Sequence, residues 1–244
     1  MWAVYLKELR QLFSNLTGYI AIIVFLLLAG LFLFVFPDTS ILDYGYATLD
    51  KFFDLAPWIF LLLIPAIAMR SFSDEFRTGT FEILQTRPLA SWQIVYGKYF
   101  AAMVVVLVAL VPTVIYFFSV SALSAQSGLD IGATLGSYAG LILLSAVFTS
   151  IGICSSSLTS NAVVAFLAAA FFCFLFYSGF DAISRMPSLS SNYDYYVEMM
   201  GIDFHYRSMS RGIIDSRDLI YFISLIYFFL FLTQRNLDKR RTQK

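Results

Sequence analysis

RSFSDEFRTGTFEILQTRPLASWQIVYGK, residues 70 to 98, is polar and helix-prone, yet it lies between two apolar runs, Leu55 to Met69 and Tyr99 to Leu123, that read as membrane spans. Ser71 or Ser73 can cap a first helix here, Asp74 and Glu75 suit its N-terminal dipole, and Gly79 suits its C-terminal end. Phe72 and Phe76, at i and i+4, give that helix an apolar side. A second short helix from Thr80 to Thr86 carries Glu82 in its first turn and stops near Arg87, because Pro88 disfavours helix in the residue before it. Ser91 opens a new helix that leads into the next span.

Working outward, the 244 residues are 59% hydrophobic and only 13% charged, with a mean hydropathy of +0.77. A soluble domain has about half its residues apolar and about a quarter charged. The expected class is therefore an all-α integral membrane protein. Its net charge is zero, so nothing in the charge balance argues for nucleic acid. Cys154 and Cys173 lie in or beside apolar stretches, form no Cys-x-x-Cys or Cys/His cluster, and read as inert packing residues.

Residues 1 to 15 form an amphipathic segment, with Trp2, Tyr5, Leu6, Leu9 and Phe13 at helical spacing and Lys7, Glu8 and Arg10 on the other side. Such a helix lies on a membrane surface. Residues 16 to 36 are uncharged and long enough for the ~30 Å hydrocarbon core. The large residues Phe34 to Pro37 at the end are unlike a cleavage site, so this reads as a permanent first span. Five more spans follow at about 55–69, 99–123, 135–153, 162–180 and 219–233. The second is short and contains Pro65, which should kink it. Residues 154 to 161, CSSSLTSN, read as a tight polar turn, and residues 181 to 218 as an outer segment with short helices.

Lys and Arg set the orientation. With both termini and the 70–98 loop inside, 11 of the 16 basic residues are inside, against 5 of the 16 acidic ones. A five-span alternative, in which the short second run does not cross, fits the charges only slightly less well.

Tyr193, Tyr195 and Tyr196 in the outer segment suit a membrane interface. Gly212 fits a helix stop, and Asp215 or Ser216 can cap the last span. Arg207 and Arg211, one turn apart, read either as an anion or partner contact or as a solvated interfacial face. Gly128, Gly132, Gly136 and Gly140 recur every four residues into the fourth span, a close-packing pattern that serves contacts within the subunit or between two copies.

Glu75, Gly79-Thr80-Phe81-Glu82-Ile83-Leu84, Arg87-Pro88, Trp92-Gln93-Ile94-Val95 and Gly97-Lys98 together resemble the cytoplasmic loop of ABC-2 type transporter permeases. The turn Ser156 to Asn161 is similar to theirs as well. Phe204-His205-Tyr206, the run Ser210 to Tyr221 and the basic tail after Leu237 resemble the permease subunit of the gliding-motility-associated transporters of Bacteroidetes. The resemblance implies an inner-membrane permease, probed mechanically through a coupling helix made of Ser73, Asp74, Glu75, Phe76, Arg77, Thr78, Gly79, Thr80 and Glu82. It further implies a separate ATPase dimer that carries ATP and Mg, a second permease copy or homologue, and a larger auxiliary membrane subunit.

No chemistry of the chain's own competes with that reading. The Gly97-Lys98 pair has Trp92 where a phosphate-binding loop needs its first glycine. His205, the sole histidine, reads as an interface or surface residue rather than a base or metal ligand. The six spans as drawn lack Asp, Glu, Lys, Arg and His, unlike the ion paths of secondary transporters. A scaffold that anchors a cytoplasmic partner through the same loop is the alternative.

Overall fold

The computed structural model describes residues 1–37, 40–41, 48–85, 89–124, 130–186 and 194–242. Gly128, Tyr193 and the Arg87-Pro88 stop lie outside them. Among the described residues the chain is helical, without strands. In order come α1 (Trp2–Ser14), α2 (Thr17–Phe34), α3 (Asp50–Ala68), α4 (Arg70–Thr78), α5 (Thr80–Gln85) and α6 (Ser91–Leu110). After a 3-10 turn at Val111–Thr113 come α7 (Val114–Leu123), α8 (Ile131–Leu158) and α9 (Ala162–Phe174). A π-helical turn, Leu175–Gly179, leads to α10 (Phe180–Ser184), and α11 (Asp194–Glu198), α12 (Ile202–Met209) and α13 (Ser216–Thr242) complete the chain.

Six helical stretches are long and apolar enough to cross a membrane: Thr17–Phe34, Asp50–Thr78, Ser91–Leu123, Ile131–Leu158, Ala162–Ser184 and Ser216–Thr242. Several run well past the limits expected from hydropathy, because a helix continues wherever its polar end finds partners. The short second run gains a turn in front, Asp50 to Asp54, and stays helical through Pro57 and Pro65. It crosses the bundle: the Phe53 carbonyl near its start accepts from Tyr206 Oη (2.8 Å), and the Met69 carbonyl just past its end accepts from Ser156 Oγ (2.8 Å). That rules out the five-span arrangement.

The expected turn at 154–161 is another correction. Ser155, Ser156 and Ser157 are buried inside α8, which runs to Leu158 and leaves only Thr159 to Asn161 as the turn. Asn161 then caps α9 by accepting from the Val163 N–H (2.9 Å).

The bundle is built around α8 and α3, the two most enclosed of the six stretches. Phe25, Phe52, Phe60, Phe148 and Phe222 are fully enclosed in the main core. Close approach of α8 to α3 depends on Gly152, where a Cβ would stand 2.6 Å from that of Ala68. A second, smaller core at the end carrying α4 gathers Phe72, Phe81, Ile94, Val95, Tyr99 and Leu237.

Candidate functional site at the loop end

Met69 alone separates α3 from α4. A helix start leaves backbone N–H groups without partners, and neither Ser71 nor Ser73 caps this one. Ser156 of α8 does so from across the bundle: its hydroxyl accepts from the N–H groups of Phe72 (3.0 Å) and Ser73 (3.2 Å) and donates to the Met69 carbonyl. Ser73 Oγ turns back onto the same carbonyl (2.5 Å) and is buried. At the other end Gly79 terminates α4 in the left-handed region, φ 71°, a conformation glycine adopts without strain.

Glu75 is buried rather than presented outward, which corrects the expectation of a dipole-facing or partner-facing charge. Its Oε1 meets Lys98 Nζ (3.0 Å) and Lys7 Nζ (2.6 Å), and Lys98 also reaches Glu8 Oε1 (2.8 Å) and the Ser71 carbonyl (2.6 Å). The ammonium group thereby donates hydrogen bonds to Glu8 and the Ser71 carbonyl and pairs by charge with Glu75. The Lys98 side chain is 0% exposed, a placement that requires such partners. Burial works against the charged form of Glu8, but Lys98 and Lys7 outweigh it and hold its carboxyl below the usual value.

The cluster explains α1. Its fully buried residues are Val4 and Glu8, and the stripe of Tyr5, Leu6, Leu9 and Phe13 is half-buried: Val4 packs where Gly97 leaves room (3.1 Å to a Cβ there), while Trp2 remains exposed. The helix is thus tethered to α6 and α4 by charge, while Leu12 and Phe13 near its end pack against the main core.

Phe72, Phe76 and Phe81 form a ring cluster beneath α4 and α5, with Phe76 and Phe81 edge-on at 4.9 Å. The basic tail seals it from the side. It is no loose extension but the last turns of α13: Arg240 lies 4.2 Å over the Phe76 ring, Ser91 Oγ donates to Asp238 (2.5 Å), and Asn236 donates to the Ser157 carbonyl (2.5 Å). What remains exposed is the junction of α4 and α5, namely Arg77, Thr78, Gly79, Thr80, Glu82 and Ile83. Arg77 pairs with the half-buried Asp74 (3.2 Å). Sequence reasoning missed Lys7, Glu8, Lys98, Ser156 and Arg240, since partners up to 164 positions apart leave no local pattern.

At the opposite end, His205 is buried, another correction: Nδ1 faces Asp218 Oδ1 (2.7 Å), Nε2 faces the Met199 carbonyl (3.0 Å), and the ring stacks on Tyr221 at 3.9 Å. Ser208 Oγ donates to the other oxygen of Asp218. The histidine ties α12 to α13. Arg207 is held by Asp203 (2.5 Å), Asp181 (3.3 Å) and Glu198 (3.4 Å), so it is neutralised within the chain, whereas Arg211 is exposed. Tyr195 and Tyr196 are exposed on α11. Gly136 and Gly140 lie against the chain's own segment, with ideal Cβ positions 2.6 Å from the Gly212 carbonyl oxygen and 2.7 Å from Met209 Cβ. That leaves no room there for a second copy. Gly132 is exposed.

Among the described residues no group of His, Cys, Asp and Glu could hold a metal ion. No curated protein matches the chain. A family model described as ABC-2 family transporter protein matches residues 2–199, which include α4, α5 and the whole Lys98 cluster. With that match over most of the chain and six apolar crossings, the protein belongs to the ABC-2 transporter family and is a multi-pass membrane permease subunit.

Proposed function

We propose that the α4–α5 junction is the coupling element through which a separate ATP-hydrolysing subunit drives this permease. The observation that carries the reading is the contrast within residues 70–85: the inner side is fixed to α1, α6, α8 and α13, while Arg77 to Thr80, Glu82 and Ile83 stand exposed at the tip. A rigidly mounted element with an exposed tip transmits a push into α3 and α6. ATP and Mg belong on the partner, an ATPase dimer, and a second permease completes the complex. The basic excess at this end favours the inner membrane with both termini cytoplasmic. The likeness of Phe204 to Tyr206 and Ser210 to Tyr221, which lies beyond the family match, favours an exporter of the gliding-motility type with an auxiliary membrane subunit.

Co-purification tests this. Reversing both exposed charges, Arg77→Glu with Glu82→Lys, should leave membrane insertion and thermal stability unchanged and abolish recovery of the ATPase, since mismatched interface charge can cost several kcal/mol. Undiminished recovery and ATP-dependent function would make the junction an ordinary interfacial hairpin.

A further inference from the structure

The end of the bundle opposite the coupling junction contains a cavity of about 650 Å³, within the ~300–1,000 Å³ typical of small-molecule sites. Two polar stripes face it. Asp50, Asp54 and Trp58 follow one another at i, i+4 and i+8 on α3, and Asp203 and Arg207 stand one turn apart on α12. Tyr177 reaches it from the π-helical turn of the fifth crossing, and the Trp58 ring stands perpendicular to it at 5.6 Å. Such π turns are rare and concentrate at functional sites.

The charges are unequally satisfied. Arg207 is already saturated by Asp203, Asp181 and Glu198. Asp50 and Asp54 make no hydrogen bond or ion pair among the described residues, although Lys51 and, at the rim of the cavity, Arg211 act on Asp54 from a distance. The lining therefore holds four aspartates against two arginines. Burial pushes the Asp203 carboxyl up despite the pull of Arg207.

We propose that this cavity is a binding site for an organic primary amine, its ammonium group between Asp50 and Asp54 and its apolar body against Trp58 and Tyr177. Acidic side chains beside two aromatic faces suit an ammonium ion on a hydrocarbon stem. Neither carboxylate pair nor aromatic wall alone would select this class; together they exclude anions by charge and inorganic cations by size and by the apolar surface. The site does not depend on what docks at the coupling junction.

The full-length chain in detergent, with Trp2→Phe and Trp92→Phe so that Trp58 is the sole indole, is titrated with tyramine, with 4-ethylphenol and with 3-(4-hydroxyphenyl)propionate. Tyramine should shift Trp58 emission saturably, and the neutral and anionic analogues should bind at least tenfold more weakly. Asp50→Asn with Asp54→Asn should weaken tyramine by about tenfold or more, the loss expected for charge-assisted bonds, and leave the melting temperature unchanged because both residues are exposed. Equal binding of all three compounds, indifference to the Asn variants, or no saturable tyramine response would overturn the proposal.

Discussion

The Ser156 hydroxyl donates to the Met69 carbonyl at 2.8 Å while accepting from two N–H groups of the next helix, so one side chain of α8 bridges the junction between the second crossing and the coupling element. Ser156→Ala removes one small group yet takes the acceptor from two N–H groups and leaves the Met69 carbonyl with Ser73 Oγ as its side-chain donor. Unsatisfied buried polar groups cost ~1–3 kcal/mol each in context, and α4 should loosen first. Hydrogen exchange of the Phe72 and Ser73 amides should rise in the variant while amides in the middle of α8 stay protected. Unchanged protection at both would show that the bridge is incidental.

Lys98→Met should destabilise the protein by up to about 3–5 kcal/mol, since it removes the buried partner of Glu8 and Glu75 and leaves both carboxylates to Lys7 alone. Adding Glu8→Gln and Glu75→Gln should restore most of the loss. Melting temperatures of the single and triple variants in one detergent measure the coupling. Equal destabilisation in both would mean that packing of the Lys98 stem, rather than charge, dominates.

Acid should release α1. The Glu8 carboxyl is held below its ordinary value, so its contribution is present above the unfolded value near ~4.5 and fades as pH falls through the lower folded value. Trp2 emission should report detachment of α1 below about pH 4.5 in the wild type. Glu8→Gln should abolish that pH dependence.

The glycines separate by surroundings. Gly136→Leu must displace the Gly212 backbone and should cost about 1–3 kcal/mol or more. Gly132→Leu, at an exposed position, should be close to neutral. Gly79→Ala meets no neighbouring atom and should cost only the ~1 kcal/mol of a left-handed backbone. Thermal melts of the three variants should rank the loss at Gly136 first, Gly79 second and Gly132 last.

The orientation can be read chemically. With Cys154 and Cys173 replaced by Ala, Thr78→Cys and Ser216→Cys place thiols at exposed positions at opposite ends of the bundle. An impermeant thiol reagent added to intact cells should label Cys at 216 and not at 78. Labelling of both from outside would overturn the inward placement of the coupling junction.

Sequence alone determined the membrane class, five of the six crossings and the polar interruption at 70–98, because hydropathy and helix period are local properties that lipid and backbone geometry enforce residue by residue, whereas the short second crossing needed its contacts with Tyr206 and Ser156. The stop at Gly79 was legible for the same reason: it depends on one residue's backbone freedom. Only the tertiary structure decided which charges face outward. Glu75 reads from its neighbours as a helix-start carboxylate on a polar loop, but Lys98 and Lys7, brought in by α6 and α1, turn it inward. Ser156 likewise reads as part of a turn until its partners at Met69 and Phe72 keep it helical and buried. His205 reads as surface until Asp218 and Tyr221 enclose it. In each case a polar group far along the chain satisfied the residue inside the protein, and burial of polar groups is settled by such partners rather than by hydropathy.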